Sequence, residues 1–215
     1  MEEQLLKIFE GNSELFITTS STGEVDERGK VQVETFTVHE PVTLKLWKDH
    51  LDGKQRIGIK PEKDDLCKWG CIDIDPQSYK DYSQKKVIDI LRDNQLPLIP
   101  VRSKSGGLHL FLFLNDWSPI KDVLKKLHEW NKNFFQALEV FPMNKCMNMP
   151  YFNMNATTEF AYNENNTPIM IGGFLDLVKN KTVTIEQLSN IKVKEYEPEE
   201  DWKHYPPRIQ KMIMD

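Results

Sequence analysis

The stretch "KWGCIDIDP", residues 68–76, decides the fold because it reads as a buried strand that nevertheless carries two aspartates. Side chains two residues apart on a strand project to the same face, so Asp73 and Asp75 lie together, with Ile72 and Ile74 on the other face. Two carboxylates this close repel each other when they are removed from water. In one reading Asp75 caps the following helix and Asp73 is a hydrogen-bonded polar group. In the other, the pair holds divalent metal, since Mg²⁺ and Mn²⁺ prefer hard oxygen ligands.

The segments that follow predict an RNA-recognition-motif-like sheet with flanking helices. Residues 76–94 are predicted as a helix with Asp75 as its N-cap and Pro76 at its first position. "LPLIPVRS" and "GLHLFLFL" read as two strands joined by the turn "KSGG". All three strands are apolar on both faces, which indicates the middle of a sheet covered by helices. The order strand, helix, two strands, helix is typical of an α+β fold of the ferredoxin-like or RNA-recognition type.

The longest predicted helix runs over residues 118–141, with Ser118 as cap, Pro119 at the first position and Glu139 near its end. Before the Asp-containing strand, a short helix, two alternating strands, a helix over residues 41–53 and the strand "RIGIK" predict a small N-terminal α/β subregion. We expect one catalytic domain over residues 1–192. Residues 193–215 then read as a connector and the first turns of a C-terminal helical region that the sequence cuts short.

Composition limits the classes of function. The chain has 215 residues, of which 39% are hydrophobic, and this suits a packed globule. Its net charge of -5 argues against a protein whose main function is to bind duplex DNA without sequence preference. Three cysteines, a start that does not read as a secretion signal, and apolar runs too short for a bilayer predict a cytoplasmic location.

A second group of candidate residues lies in "RSKSGGLHLFLFL", residues 102–114. Glycines let a backbone come close to a phosphate, and the cations, the hydroxyl and the histidine here are suitable phosphate partners. The residues concerned are Arg102, Lys104, Ser105, Gly106, Gly107 and His109. A Ser-Gly hairpin needs no ligand, however, and a single histidine at a strand edge is also a common structural hydrogen-bonding group.

In combination, these segments resemble the archaeo-eukaryotic primase superfamily, which includes primase-polymerases and phage and plasmid replication primases. Members share a hydrophobic-Asp-hydrophobic-Asp strand, a motif ending in His, and a later acidic residue. The first is "CIDID" here, the second is "SGGLH", and "ALEVFPMN" assigns the third role to Glu139. Relatives more often have Asp at that third position. Many have Ser where this chain has Gly107, which leaves Ser105 as the phosphate partner.

The resemblance implies a DNA primase or primase-polymerase domain, phage-like, that acts on single-stranded DNA with NTPs or dNTPs. Asp73, Asp75 and Glu139 would hold two Mg²⁺ or Mn²⁺ ions. The incoming nucleotide's phosphates would contact His109 together with Arg102, Lys104, Ser105, Gly106 and Gly107. Lys54, Arg56 and Lys60 are expected to contact the template. A replicative helicase or a C-terminal helical domain is the expected partner, in the cytoplasm of a bacterial host.

Three other classes of protein are alternatives to a primase. A rolling-circle nuclease needs a second histidine where the chain has "HLF", and a phosphate-loop ATPase needs a G-x-x-x-x-G-K-[ST] motif that is not in the sequence. A non-catalytic nucleotide or single-stranded nucleic-acid binding module of the same fold is the remaining alternative. "CKWGC" and Cys146 do not supply the four ligands of a structural zinc site, so zinc is not expected.

Overall fold

The structure, a computed structural model, describes residues 1–25, 31–76 and 83–193 and contains two antiparallel sheets. The strands are β1 (Phe16–Val25), β2 (Val31–Val38), β3 (Arg56–Ile59), β4 (Leu66–Ile74), β5 (Leu98–Arg102), β6 (Leu108–Pro119), β7 (Glu139–Phe141), β8 (Met147–Asn148), β9 (Ala161–Tyr162) and β10 (Pro168–Ile169). The α-helices are α1 (Glu2–Ile8), α2 (Leu44–Leu51), α3 (Gln84–Asp93), α4 (Ile120–Trp130), α5 (Ile171–Lys181) and α6 (Ile185–Asn190). Most of the predicted C-terminal connector, residues 194–215, lies outside the described residues.

The larger sheet has the strand order β10-β9-β5-β6-β4-β7. Its central part confirms the predicted α+β fold: β4, α3, β5, β6, α4 and β7 follow one another in sequence, and their strands lie in the order β5-β6-β4-β7. This is the arrangement of an RNA-recognition-motif-like sheet. The strands predicted to be central, β4, β5 and β6, have neighbours on both sides.

Each face of this sheet has its own core, as the apolar strands predict. On one face Ile72 and Ile74 pack with residues of α3 and α4, including Val87 and Leu127. On the other face Cys71 packs in a cluster with residues of α1, α2, β3 and α5. Asp73 lies on this second face, next to the N-terminal subregion.

The N-terminal subregion contains a four-stranded sheet in the order β2-β1-β3-β8. The hydroxyl of Thr43 accepts a hydrogen bond from the Leu46 N–H, so Thr43 is the N-cap of α2. Strand β8 belongs to the chain after β7, and its pairing with β3 joins the subregion to the C-terminal part of the domain. Within residues 1–25, 31–76 and 83–193, none of the helices combines the length and the apolar character that a membrane-spanning segment requires.

Two predicted helix starts are wrong. Helix α3 begins at Gln84, and its N-cap is Ser83, whose hydroxyl accepts from the Lys86 N–H. Pro76 lies in a turn, so Asp75 does not cap this helix, and the intervening residues 77–82 are outside the described part of the chain.

Ser118 does not cap α4 either. It lies in β6, where it pairs with Cys67, and its hydroxyl donates to the Asp116 carbonyl. Pairing between β4 and β6 continues as far as Pro119, so the helix begins only at Ile120.

The prediction of one helix over residues 118–141 is also wrong, and the error concerns Glu139. Helix α4 ends at Trp130, a single π-helical turn follows over Asn131–Phe135, and Gln136 adopts a left-handed φ of 52°. The buried Asn131 amide donates to the Ala137 carbonyl and accepts from the Ala137 N–H. These two bonds stabilise the reversal that ends the helix, and Glu139 is therefore the first residue of β7 rather than a helical residue.

Candidate active site

Three of the predicted site residues form a row across adjacent strands. Asp73 on β4 lies opposite His109 on β6 and opposite Glu139 on β7. Directly paired residues on neighbouring strands project their side chains to the same face of a sheet. Asp75 follows just beyond the end of β4. The sheet pairing thus brings together the residues that the three separate sequence motifs predict.

Asp73 is the most strongly perturbed carboxyl group of this row. Its side chain is 26% exposed, and its pKa is raised to about 6 by burial, then by the negative charges of Glu139 and Asp75. Crowded carboxylates of this kind are stabilised when a cation binds between them. The raised pKa therefore marks a place where positive charge is favoured.

His109 lies beside Asp73 as a neutral ring. Its side chain is 14% exposed, and burial lowers its pKa to about 4. Its Nε2 atom is 3.5 Å from Oδ1 of Asp73. Because the imidazole is uncharged at pH 7, this contact is not an ion pair, and one ring N–H remains a neutral hydrogen-bond donor.

Glu139 has a cationic partner at the rim of the row. Nζ of Lys145 lies 2.8 Å from Oε1 of Glu139, and both side chains are partly exposed. Among the described residues, no three His, Cys, Asp or Glu side chains are grouped closely enough to hold an ion together. The oxygen donors of Asp73, Asp75 and Glu139 nevertheless suit Mg²⁺ or Mn²⁺ chemically. To share an ion, Glu139 would have to exchange Lys145 for the metal.

One side of the cleft above this row is the turn wall, which we define as residues 102–105. The turn is closed by the Ser103 N–H, which donates to the Gly107 carbonyl, and by the Gly106 N–H, which donates to the Ser103 carbonyl. The hydroxyls of Ser103 and Ser105 are 3.0 Å apart. Lys104 and Ser105 are exposed. The turn wall therefore presents a cation and a hydroxyl beside His109, as predicted.

The two glycines of this turn have structural explanations: one has the positive φ that a glycine hairpin predicts, and the other makes a close contact that the sequence does not predict. Gly106 has a φ of +91°, a conformation that costs other residues strain. A Cβ at Gly107 would lie 2.1 Å from the Ile74 carbonyl oxygen, so glycine is needed for the start of β6 to pass the end of β4. Neither glycine lines the cleft. Both hold the turn in place, and a direct role in phosphate binding is not needed to explain them.

The opposite side is the far wall, which we define as Asn148, Met149, Pro150 and Glu159. Together with the turn wall, Val101, His109 and the two aspartates, it encloses a cleft of about 490 Å³. Sequence reasoning did not select Asn148 or Glu159. Asn148 lies in the run that follows the "LEVFP" motif, which was a weak signal for it, whereas no local pattern singles out Glu159.

Arg56 is the partner of Glu159, and this burial removes it from the predicted template contacts. The guanidinium donates to the Glu159 carboxylate, both side chains are buried, and it lies 4.2 Å from the centre of the Phe152 ring. Its charge is thereby neutralised inside the protein. Lys54 pairs with Asp52, and Lys60 donates to Asn144, so a template contact by either lysine stays a prediction.

The cysteines are divided between the two cores. Cys67 packs with the α3 and α4 side of the sheet, and Cys71 with the opposite side, because the register of β4 shifts between Cys67 and Trp69. Burial raises the pKa of Cys67 to about 12 and that of Cys146 to about 11. Burial also raises the pKa of Cys71, so all three thiols are protonated at neutral pH in the metal-free protein.

Comparison with known families agrees with this geometry. The chain belongs to the family described as the archaeo-eukaryotic primase domain of the TOTE conflict system, whose model matches residues 14–141 and hence more than half of the sequence. The match runs from the loop before β1 to the end of β7 and includes Asp73, His109 and Glu139. It confirms the resemblance to the primase superfamily. No curated protein matches the chain. Because the family is named for a conflict system, a role in phage replication stays a prediction.

Proposed function

We propose that this domain catalyses template-directed nucleotidyl transfer, as a DNA primase or primase-polymerase acting on single-stranded DNA with NTPs or dNTPs. The observation that carries the proposal is the row of Glu139, Asp73 and His109 across adjacent strands, of which Asp73 and His109 line one cleft with the turn wall. Crowded carboxylates and a cation-bearing turn are the two halves of a site for a metal-bound triphosphate.

The chain's own residues have distinct tasks in this reaction. Lys104 offers positive charge and Ser105 a hydroxyl to the triphosphate. The neutral His109, which lies beside Asp73, donates a hydrogen bond to the phosphates. Asp73, Asp75 and Glu139 would hold the divalent ions, which neutralise charge on the attacking and leaving oxygens of a phosphoryl transfer. Catalysis then consists mostly of positioning the nucleotide and the primer 3′-hydroxyl.

The template, the partner and the location that we propose follow from this activity. Single-stranded DNA is the template, Lys54 and Lys60 are its candidate contacts, and a helicase or a C-terminal helical domain is the candidate partner. A bacterial cytoplasm, with phage replication as one setting, is the proposed location.

The test is primer synthesis on single-stranded DNA with labelled nucleotides, with wild type compared with Asp73→Ala/Asp75→Ala. We expect product from wild type and a loss of about a thousandfold or more in the double variant, because the charge-neutralising site is removed. The control is Asp116→Asn, an exposed aspartate at the far end of β6. Product that persists in the double variant would overturn the assignment. Nucleotide binding without any synthesis by wild type would instead favour the non-catalytic binding module.

A second variant separates His109 from the metal site. His109→Ala removes the hydrogen-bond donor next to Asp73 and leaves all three carboxylates in place. We expect the apparent affinity for nucleoside triphosphate to fall about tenfold, as for the loss of a hydrogen bond to a charged group, while Mn²⁺ binding is retained. Unchanged nucleotide affinity would show that the histidine is structural.

A further inference from the structure

An unsatisfied polar atom lies on the far wall. Oδ1 of Asn148 is shielded from solvent and has no hydrogen-bond partner among the described residues. The same is true of Trp47 Nε1, Trp130 Nε1 and Glu62 Oε2, but of these four only Asn148 lines the cleft. A buried polar atom without a partner carries a free-energy cost, because it has lost its hydrogen bond to water. Such a cost is offset when a ligand supplies the missing partner.

The backbone around Asn148 is held by hydrogen bonds, which fix the place from which its side chain extends. Asn148 pairs with Gly58 in the β3–β8 ladder, and the next residue, Met149, donates its N–H to the Ile57 carbonyl at 3.0 Å. One residue further on, the Pro150 carbonyl accepts from Nε2 of the buried His50 at 2.9 Å. The far wall is thus fixed before any ligand arrives, as a site that recognises one shape requires.

The two walls differ in the chemistry that they offer. The turn wall carries Arg102 and Lys104, which attract phosphate oxygens. The far wall carries the side-chain oxygen Oδ1 of Asn148 and the Glu159 carboxylate. The negative charge of Glu159 is balanced by Arg56. Phosphate oxygens are acceptors only and find no donor in these two oxygens. A triphosphate on the turn wall therefore leaves the uncharged part of the nucleotide to face the far wall.

A hydroxyl is the nucleotide group that best fits Asn148. It both donates and accepts, so it can pair with a side-chain amide whichever way the oxygen and nitrogen are turned. The sugar lies directly next to the phosphates in a nucleotide, and it carries the hydroxyls. We propose that Asn148 binds a sugar hydroxyl of the nucleoside triphosphate and thereby makes the cleft sensitive to the sugar. This inference rests on the proposed function, in that a nucleotide occupies the cleft.

The experiment measures binding without turnover, by calorimetric titration with Mg²⁺ and no template. The ligands are ATP, 2′-deoxy-ATP and 3′-deoxy-ATP, which distinguish the two sugar hydroxyls. For wild type we expect one deoxy form to bind about 5-fold to 10-fold more weakly than ATP, since one hydrogen bond is lost. The Asn148→Ala variant should bind ATP only as tightly as wild type binds that deoxy form. Removal of the hydroxyl from the nucleotide should then have no further effect on its affinity for the variant.

Two further variants keep the test decisive. Asn148→Asp retains an acceptor oxygen and should keep the dependence on the hydroxyl. Asn144→Ala removes an exposed amide that accepts from Lys60 and does not line the cleft, and it should bind all three ligands as wild type does. Asn148→Ala should also fold normally, because it removes a polar atom that has no partner to lose.

The possible results separate this inference from the proposed function. If wild type binds ATP with dependence on a hydroxyl but never synthesises a primer, the proposed function fails and the role of Asn148 stands. If synthesis occurs but the hydroxyl dependence persists in Asn148→Ala, the role of Asn148 is overturned. Equal wild-type affinity for all three nucleotides would overturn it as well. So would a preference that follows the base, measured with ITP in place of ATP.

Discussion

The turn wall and the far wall face the same cleft, but they are built from different lengths of chain. The turn wall is closed by hydrogen bonds between residues three and four positions apart, from Gly106 to Ser103 and from Ser103 to Gly107. The far wall depends on pairs that are 100 and 103 residues apart, His50 with Pro150 and Arg56 with Glu159. One wall is therefore local, and the other exists only when the N-terminal subregion has docked on the larger sheet.

This difference determines how each wall is expected to fail. A local turn fails when one residue no longer fits its backbone, whatever the rest of the chain does. A wall held by long-range contacts fails when a buried partner is lost or changes its charge. The nucleotide site that we propose includes both walls, so substitutions in either should reduce nucleotide binding for different physical reasons.

The largest effect is expected next to the turn wall, from Gly107→Ala, because this residue both closes the turn and touches the neighbouring strand. A methyl group at this position would lie 2.1 Å from the Ile74 carbonyl oxygen, which is backbone and cannot rotate away. The strand ends must separate, and with them Asp73 and His109. We expect the free energy of unfolding to fall by about 4 kcal/mol, and nucleotide binding to be lost, measured by urea denaturation and by titration.

Gly172→Ala is the matched control for that substitution. Gly172 lies in α5, and no atom lies within 4 Å of the place that its Cβ would occupy. Alanine in a helix is favoured over glycine by about 0.5–1 kcal/mol, so this variant should be as stable as wild type or slightly more stable. Equal stability of the two alanine variants would show that β4 and β6 do not need the close approach.

The far wall is expected to depend on pH through His50. Its Nδ1 accepts from the Ile57 N–H and its Nε2 donates to the Pro150 carbonyl, so the folded protein needs the neutral ring. Burial, followed by the positive charge of Arg56, lowers its pKa from 6.5 to about 4. Between these two values the unfolded chain binds a proton that the folded protein does not. Stability from His50 is thus complete above about pH 6.5 and is lost as the pH falls towards 4.

We therefore expect the free energy of unfolding of wild type to fall by about 3 kcal/mol more than that of His50→Gln between pH 7 and pH 4. Both proteins share every other titrating group, so the difference between their urea denaturation profiles reports His50 alone. The variant should be the less stable protein at pH 7, because glutamine cannot reproduce both hydrogen bonds. Parallel profiles would mean that the far wall tolerates a charged ring.

The same comparison explains what the sequence could predict. Asp73, Asp75 and His109 belong to strand and turn patterns that are visible within a few residues, and the type of sheet followed from the order strand, helix, two strands, helix. Glu139 was selected through its motif but was expected in a helix. The helical pattern continues past the point where the Asn131 side chain and the left-handed Gln136 reverse the chain. Such tertiary contacts override periodicity.

Other features had a weak signal or none within a single segment. Asn148 and Glu159 are cleft residues only because β8 pairs with β3 and because Arg56 is buried against Glu159. The opposite misreading occurred for Arg56, whose charge suggested a surface contact. Gly107 was predicted to let a phosphate approach the backbone, but its close neighbour is the Ile74 carbonyl, a contact between strands that the sequence does not reveal.

The smallest effect is expected at the rim between the walls, from Lys145→Ala. Lys145 now neutralises Glu139 at 2.8 Å, so a divalent ion must displace it before Glu139 can become a ligand. Both side chains are partly exposed, and such surface pairs contribute at most about 1 kcal/mol. We expect Mn²⁺ affinity, measured by the loss of the free-ion EPR signal, to rise about 2-fold to 5-fold, with Lys132→Ala on an exposed position as control. A fall in Mn²⁺ affinity would show that Lys145 orients Glu139 for the metal rather than competing with it. The rim would then be a fixed part of the site, as the two walls are.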